Sequence, residues 1–225
     1  LYAIRVDARG ERSFTYWRDS SAARAFFACD GVDRLLTAAS KCSLLYFSAI
    51  TLSLFDEAGR SRVVALARDV RRRGGQVAFD SNYRPLGWPD RQKPIRAIEA
   101  LAGAIDIALP TFADDADLFG DRDPAACAAR WHGLGAGEVV VKLGEKGALV
   151  STRDGAALVP AQPVARVVDT TGAGDSFNAG YLAARRSGML PRAACVAGCA
   201  LAAEVIRHPG AIIPPGAMPG TTADA

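Results

Sequence analysis

A run at residues 169–180, Asp-Thr-Thr-Gly-Ala-Gly-Asp-Ser-Phe-Asn-Ala-Gly, joins a glycine turn to the start of a helix and places a carboxylate there. Gly172, Ala173 and Gly174 have no bulk to keep the backbone from a phosphate, and N–H groups at a helix start lack partners and lie at the positive dipole end. Asp175 follows on the first turn, where the dipole favours its ionised form, so it can accept a proton from a hydroxyl that attacks phosphorus. The pattern predicts phosphoryl transfer.

A plainer interpretation of the same run is a helix capped by Asp175, with glycines that only form the turn. The Walker pattern G-x-x-x-x-G-K-[ST] does not occur in the chain, so the phosphate-binding lysine of that class is absent. If the turn binds a phosphate, backbone amides must supply the donors.

Two arginines indicate an acidic substrate. Residues 79–88, Phe-Asp-Ser-Asn-Tyr-Arg-Pro-Leu-Gly-Trp, follow a predicted strand and carry Arg84 in a loop, where binding groups concentrate. Tyr16 and Arg18 lie two residues apart in an extended segment and therefore face the same way. Because guanidinium groups form paired hydrogen bonds with carboxylates, two such arginines fit a sugar acid better than a neutral sugar. The alternatives are a Pro/Gly turn with an incidental arginine and a surface hairpin with an exposed Arg18.

A second glycine turn, Lys-Leu-Gly-Glu-Lys-Gly, occupies residues 142–147 between two predicted strands. Taken alone this pattern is a weak signal that usually marks a hairpin. Lys142 or Lys146 can meet a phosphate, and an exposed lysine without a ligand is an equally good interpretation.

Composition limits the class of protein. The 225 residues, half of them hydrophobic, are enough for one substantial α/β domain and include no stretch long enough to cross a membrane. With 27 basic and 24 acidic residues the net charge is only +3, so we expect no nucleic-acid partner. The five cysteines are odd in number and form no C-x-x-C pair, which favours a reducing cytoplasm over a disulfide framework or a zinc site. No residue is assigned as a metal ligand.

Strand and helix signals alternate along the chain after a predicted hairpin formed by residues 2–6 and 13–17. Such alternation favours a mainly parallel sheet covered by helices, with ligands at the carboxyl ends of the strands. Strands are predicted at 44–48, 76–80, 106–110, 138–143, 148–152 and 164–169. Helices are predicted at 56–73, 91–102, 124–134, 174–187 and 191–208, with a short one after 111.

These motifs, in this order, resemble the PfkB (ribokinase-like) carbohydrate kinase family. The resemblance implies that Gly172 to Gly174 form an anion hole and that Asp175 is the base, in contact with the acceptor hydroxyl. Residues 79–88 are similar to the F-D-x-N-Y-R-x-x-x-W signature of 2-keto-3-deoxygluconate kinases, in which Arg84 matches an arginine that binds substrate. Tyr16 and Arg18 match a Tyr-x-Arg motif of the lid that contacts the keto acid.

The same resemblance implies ATP and Mg²⁺ as cofactors. Residues 142–147 match the nucleotide loop of the family. In the wider family an N-x-x-E motif organises magnesium through water, and Thr111 and Asp114 stand at those positions, so direct ligation by Asp114 is not expected. The implied ATP-binding residues are Asn82, Lys142, Gly144, Lys146, Gly147, Gly172 and Gly174.

The expected fold is a ribokinase-like α/β core at 20–225 with a partial β-sheet lid at 1–19, through which two chains can pair. Family members begin with a Gly-Gly-Asp-type strand and a glycine-rich signature that nothing here matches. If Leu1 is the true start, the first core strands are absent, and the product is expected to be unstable or inactive unless a partner covers the gap. The expected reaction is ATP-dependent phosphorylation of the 6-hydroxyl of 2-keto-3-deoxygluconate. The alternatives are a PfkB kinase for another sugar and a truncated, non-catalytic homologue.

Overall fold

The computed structural model of the chain describes residues 2–6, 12–16 and 21–219. The chain divides into two compact units. The sheet unit comprises Asp19–Leu143 and Ser151–Ala156, and the glycine-turn unit comprises Leu1–Arg18, Gly144–Val150 and Ala157–Ala225.

Eight strands and eight α-helices are found among the described residues. The strands are β1 (Tyr2–Val6), β2 (Arg12–Tyr16), β3 (Leu44–Ser48), β4 (Gln76–Asp80), β5 (Ile107–Ala108), β6 (Glu138–Lys142), β7 (Ala148–Thr152) and β8 (Gly155–Val159). The helices are α1 (Val32–Ala39), α2 (Ala49–Ser53), α3 (Glu57–Arg72), α4 (Gln92–Glu99), α5 (Phe112–Phe119), α6 (Pro124–Gly133), α7 (Ala173–Arg186) and α8 (Pro191–Val205). Short 3₁₀ turns lie at Ala22–Ala28, Pro85–Gly87, Gly144–Lys146 and Pro215–Ala217.

Strands β3 to β8 form one six-stranded mixed sheet in sequence order. The pairs β3–β4, β4–β5 and β5–β6 are parallel. A bridge between Thr111 and Lys142 continues the parallel pairing past the end of β5. The predicted α/β class with a mainly parallel sheet is therefore confirmed.

The central strands are short apolar runs, as is typical of strands buried on both faces. Val77, Ala78 and Phe79 of β4 are completely buried, and all five residues of β6 are buried. The ring of Phe79 lies 5.7 Å from that of Trp131 on α6, centroid to centroid. This packing holds the carboxyl ends of β4 and β6, where polar residues follow.

Helix α3 shows how the local sequence sets an element. Asp56 caps its start, since its Oδ1 accepts a hydrogen bond of 2.8 Å from the Gly59 N–H. Val63, Ala67 and Val70 recur at helical spacing and are buried. The predicted helix at 56–73 is thus confirmed, as are the strands at 44–48, 76–80 and 148–152.

The predicted strand at 164–169 is wrong, because these residues form no strand. The Val168 and Asp169 N–H groups both donate to the Ile206 carbonyl oxygen, at 2.8 and 3.3 Å, so they do not join a sheet ladder. Val167 and Val168 are 46% and 36% exposed. The two adjacent β-branched residues therefore led to the wrong prediction of a buried strand. The sequence pattern did not predict α1, α2 or β8.

Strands β1 and β2 pair antiparallel, with Tyr2 opposite Tyr16, which confirms the predicted hairpin. The side chain of Tyr16 and all of Arg18 lie outside the described residues. The role of residues 1–19 as a lid, and the division from a core at 20–225, stay predictions. No described helix combines the length and the apolar character that crossing a membrane requires.

Candidate active site

The glycine turn before α7 depends on a backbone shape that only glycine adopts without strain. Gly172 caps the helix with φ +75°, in the left-handed region. A Cβ at this position would also lie 2.9 Å from the Cβ of Ala211. The first backbone bond of the helix runs from the Ser176 N–H to the Gly172 carbonyl oxygen, at 2.8 Å.

The backbone amides of the turn are not equally available to donate hydrogen bonds to an anion. The Ala173 N–H already donates to the Thr170 carbonyl oxygen, at 3.3 Å. The Gly174 N–H follows in the first turn of α7, where the amides of a helix point out from its N-terminal end. Gly174 and Asp175 are both exposed, so Asp175 does not lie in the interior. Of the three predicted anion-hole residues, Gly174 offers its amide most directly.

Asp169 holds this turn in place, a role that the motif interpretation missed. The carboxylate is buried; its Oδ1 accepts from the Thr171 N–H at 2.8 Å and from the Thr171 hydroxyl at 2.7 Å. Its Oδ2 accepts from the Gly210 N–H at 2.9 Å. In an Asx turn, an aspartate accepts a hydrogen bond from the N–H two residues later. The order Asp169, Thr170, Thr171 could have indicated this turn from the sequence.

We expect Asp169→Ala to lower the free energy of unfolding by about 2–4 kcal/mol, because buried donors would lose their acceptor. Urea denaturation measures the change. Asp154 is exposed and provides the matched control, so Asp154→Ala should change stability little. A loss no greater in Asp169→Ala than in Asp154→Ala would contradict this role.

In the sheet unit, Asp80 organises the loop that follows β4. Its carboxylate is 2% exposed, and Oδ2 lies 2.9 Å from the Nζ of Lys142 at the end of β6. Its Oδ1 accepts from the Asn82 N–H at 3.1 Å. The predicted nucleotide lysine Lys142 is thus buried in an ion pair, whereas Lys146, on the turn Gly144–Lys146, is exposed.

Asn82 has the one positive φ among the described non-glycine residues, at +22°. Its side-chain Oδ1 is buried and has no hydrogen-bond partner among the described residues. Strained backbone and unsatisfied polar atoms cluster at functional sites more than elsewhere. Asn82 therefore fits a ligand-binding position.

Arg84 is bound by Asp114 on α5. Its Nη1 donates to the Tyr83 carbonyl oxygen at 2.7 Å and to Oδ2 of Asp114 at 3.0 Å. Burial raises the pKa of the Asp114 carboxyl, and the adjacent Arg84 guanidinium opposes that rise. The residue that matches the magnesium motif of the family thus contacts the predicted substrate arginine.

The turn at residues 142–147 requires glycine at its end. Gly147 has φ +93°, and a Cβ there would lie 2.0 Å from the Val159 carbonyl oxygen. The fold therefore requires glycine here whether or not a ligand binds. Gly144 is exposed, and a Cβ there would meet no atom within 4 Å, so a ligand can approach it.

Asp115, Asp121 and Cys127 place donor atoms within 4.8 Å of one another, as a metal site would. The guanidinium of Arg130, however, donates to both carboxylates, and the Trp131 Nε1–H donates to Asp115 at 2.7 Å. Burial raises the pKa of the Cys127 thiol, which disfavours the thiolate form that binds metals. We interpret this cluster as a structural ion pair.

Comparison with known proteins agrees with these features. A model described as pfkB family carbohydrate kinase matches residues 1–217. The 2-dehydro-3-deoxygluconokinase of Dickeya dadantii (strain 3937) is 40% identical over 222 residues, which cover 97% of this chain and 72% of that enzyme.

Solved structures show the same fold. The PfkB protein from Polaromonas sp. JS666 has a TM-score of 0.73 at 27% identity, over 86% of this chain and 62% of that one. The aminoimidazole riboside kinase from Salmonella enterica, complexed with aminoimidazole riboside and an ATP analog, has a TM-score of 0.65 at 31% identity, over 75% and 57%. The chain thus spans less than two thirds of the length of these two solved relatives. The predicted ribokinase-like fold is confirmed, and the chain belongs to the pfkB family of carbohydrate kinases.

Proposed function

We propose that this protein transfers the γ-phosphoryl group of ATP to the 6-hydroxyl of 2-keto-3-deoxygluconate, the acid for which the Dickeya dadantii relative is named. The observation that carries the proposal is an exposed carboxylate, Asp175, on the first turn of α7, directly after the left-handed Gly172. Asp175 takes the proton of the 6-hydroxyl as its oxygen bonds to the γ-phosphorus. The bond from that phosphorus to the β,γ-bridging oxygen breaks, and ADP leaves with the electron pair.

The amides at the start of α7 are the proposed stabilisers of the transferring group. Charge on the phosphoryl oxygens develops where the Gly174 N–H and the positive end of the helix dipole can stabilise it. The hydrogen bonds that Asp169 accepts from the Thr171 and Gly210 N–H groups hold the turn that precedes these donors in place before the reaction. Positioned donors of this kind need no reorganisation during the chemical step.

The residues present fit a nucleotide. Gly172 keeps the turn before α7 without a side chain, Lys146 is an exposed cation on a glycine turn, and Asn82 has an unsatisfied buried oxygen. We assign these residues, with Gly144 and Gly147, to ATP. Mg²⁺ bound to ATP supplies charge neutralisation of the phosphates, and it often keeps several waters. We also assign Lys142 to ATP binding, although its ammonium group forms an ion pair with Asp80.

Arg84 is the proposed ligand of the substrate's acid group. Its side chain is 44% exposed and lies on a loop at the carboxyl end of β4, the sheet edge where α/β proteins bind ligands. Tyr16 and Arg18 are proposed to contact the same group.

We also propose a cytoplasmic location, since all five cysteines are free thiols. Two chains are proposed to pair through the β1–β2 hairpin.

A coupled assay of ADP release tests the function with a panel of keto acids and neutral sugars. We expect turnover with 2-keto-3-deoxygluconate at a kcat/KM at least tenfold above that of any neutral sugar. A neutral sugar as the best substrate would favour a kinase for another sugar. Binding of ATP and acid without turnover would favour a non-catalytic homologue.

A further inference from the structure

The guanidinium of Arg84 makes all its described hydrogen bonds through one nitrogen. Nη1 donates to the Tyr83 carbonyl oxygen and to Oδ2 of Asp114. Nε and Nη2 form no hydrogen bond with any residue that the structure describes. These two nitrogens form one edge of the planar group, and such an edge matches the two oxygens of a carboxylate. The contact with Asp114 therefore leaves an acid-binding edge available.

Asp114 is fixed well enough to direct the arginine. It lies in the first turn of α5, whose N-cap Thr111 is joined to Lys142 of β6 by a parallel bridge. Its side chain is 22% exposed. The charged groups that face it are Arg84, which is opposite in sign, and Asp80 and Asp115, which repel it. Its favourable charge partner is thus Arg84.

We propose that Asp114 is a positioning residue that holds Nη1 of Arg84, so that the Nε–Nη2 edge receives the carboxylate of the substrate. This inference rests on the proposed function and adds a specificity determinant to it. Without Asp114 the arginine samples other rotamers, and acid binding must order the side chain at an entropic cost. The residue acts through Arg84 and contacts neither the transferring phosphoryl group nor, in this proposal, the magnesium ion.

Two substitutions at Asp114 distinguish its role in positioning Arg84 from the effect of its negative charge. Asp114→Ala removes the acceptor for Nη1, whereas Asp114→Asn keeps an acceptor oxygen and removes the charge. We expect Asp114→Ala to raise both the Kd and the KM for the acid about tenfold, with kcat within threefold of wild type. Asp114→Asn should restore the Kd to within about threefold of the wild-type value. Calorimetry with 2-keto-3-deoxygluconate gives the Kd without catalysis.

Asp117 on the same helix provides a matched control. It pairs with Arg91 at 3.6 Å, and both side chains are more than half exposed. Asp117→Ala removes a carboxylate from α5 without touching Arg84, so the Kd and KM for the acid should stay at wild-type values. An equal effect in Asp117→Ala would show a general effect of helix charge and would overturn the assignment.

Other outcomes are equally decisive. An unchanged or lower Kd in Asp114→Ala would show that Asp114 does not position Arg84 or that it competes with the substrate. A matching rise in the Mg²⁺ requirement of both Asp114 variants would indicate a metal role instead. If the wild type binds the acid but does not phosphorylate it, the proposed function fails while the Kd of Asp114→Ala still decides this inference. A wild type that binds no acid overturns both.

Discussion

Asp175→Asn should reduce turnover by about 10²- to 10⁴-fold, the usual contribution of a general base. Asparagine preserves the size of the side chain but cannot take up the proton of the acceptor hydroxyl. The Kd for ATP should stay near the wild-type value, because the backbone of the glycine turn is unchanged. Release of ADP measures the first effect, and calorimetric titration with ATP measures the second.

The control for this variant is another exposed acid at a helix start. Glu57 lies in the first turn of α3, outside the turn at residues 170–175, so Glu57→Gln should leave turnover unchanged. Wild-type-like turnover in Asp175→Asn would remove the proposed base. Loss of ATP binding together with turnover would instead assign Asp175 to the structure of the turn.

Arg84→Ala should raise the KM for the acid substrate by roughly 10- to 100-fold, since a charge-assisted hydrogen bond contributes about 1.5–3 kcal/mol. The effect on kcat should be smaller, because the arginine binds a part of the substrate that does not react. Arg84→Lys should be intermediate, since an ammonium retains the charge but lacks the two-nitrogen edge. Initial rates over a range of acid concentrations give both parameters.

Arg91 is a suitable control for this experiment. It is exposed, it follows Arg84 by seven residues, and it contacts Asp117 and the Leu118 carbonyl oxygen. Arg91→Ala removes the same charge from the same part of the chain and should leave the KM unchanged. An unchanged KM in Arg84→Ala, or an equal rise for neutral sugars, would count against recognition of the acid group.

Predictions from the sequence succeeded where the cause is local. Glycine at position 172 marks a left-handed turn because any side chain is strained there, and the structure shows φ +75°. The apolar runs at 76–80 and 138–142 became buried strands because few other structures can bury such runs. The same rule failed at 164–169, where two adjacent valines lie at the surface without strand partners.

The pairing of charged residues could not be predicted in this way. The sequence predicted for Lys142 either a contact with a phosphate or exposure to solvent, with neither favoured. In the structure its side chain is buried and donates to Asp80, 62 residues earlier in the chain. In the sequence, Asp114 was noted only because it differs from the magnesium motif of the family. In the structure it accepts a hydrogen bond from Arg84, 30 residues away. These pairs follow from the order of the strands in the sheet, and that information is not present in any one segment.

The amino-acid sequence by itself determined the glycine turn with its carboxylate, the alternation of strands and helices, and the kinase family, whereas the phosphate-binding and acid-binding roles of these motifs stay predictions. The turn and the alternation of elements depend on backbone preference or hydrophobic periodicity within a few residues. The family was indicated by the resemblance of several motifs in a fixed order. Only the tertiary structure decided which groups each of these residues contacts. A hydrogen bond such as that from Gly210 to Asp169 joins positions 41 residues apart, and it forms only when packing fixes both segments.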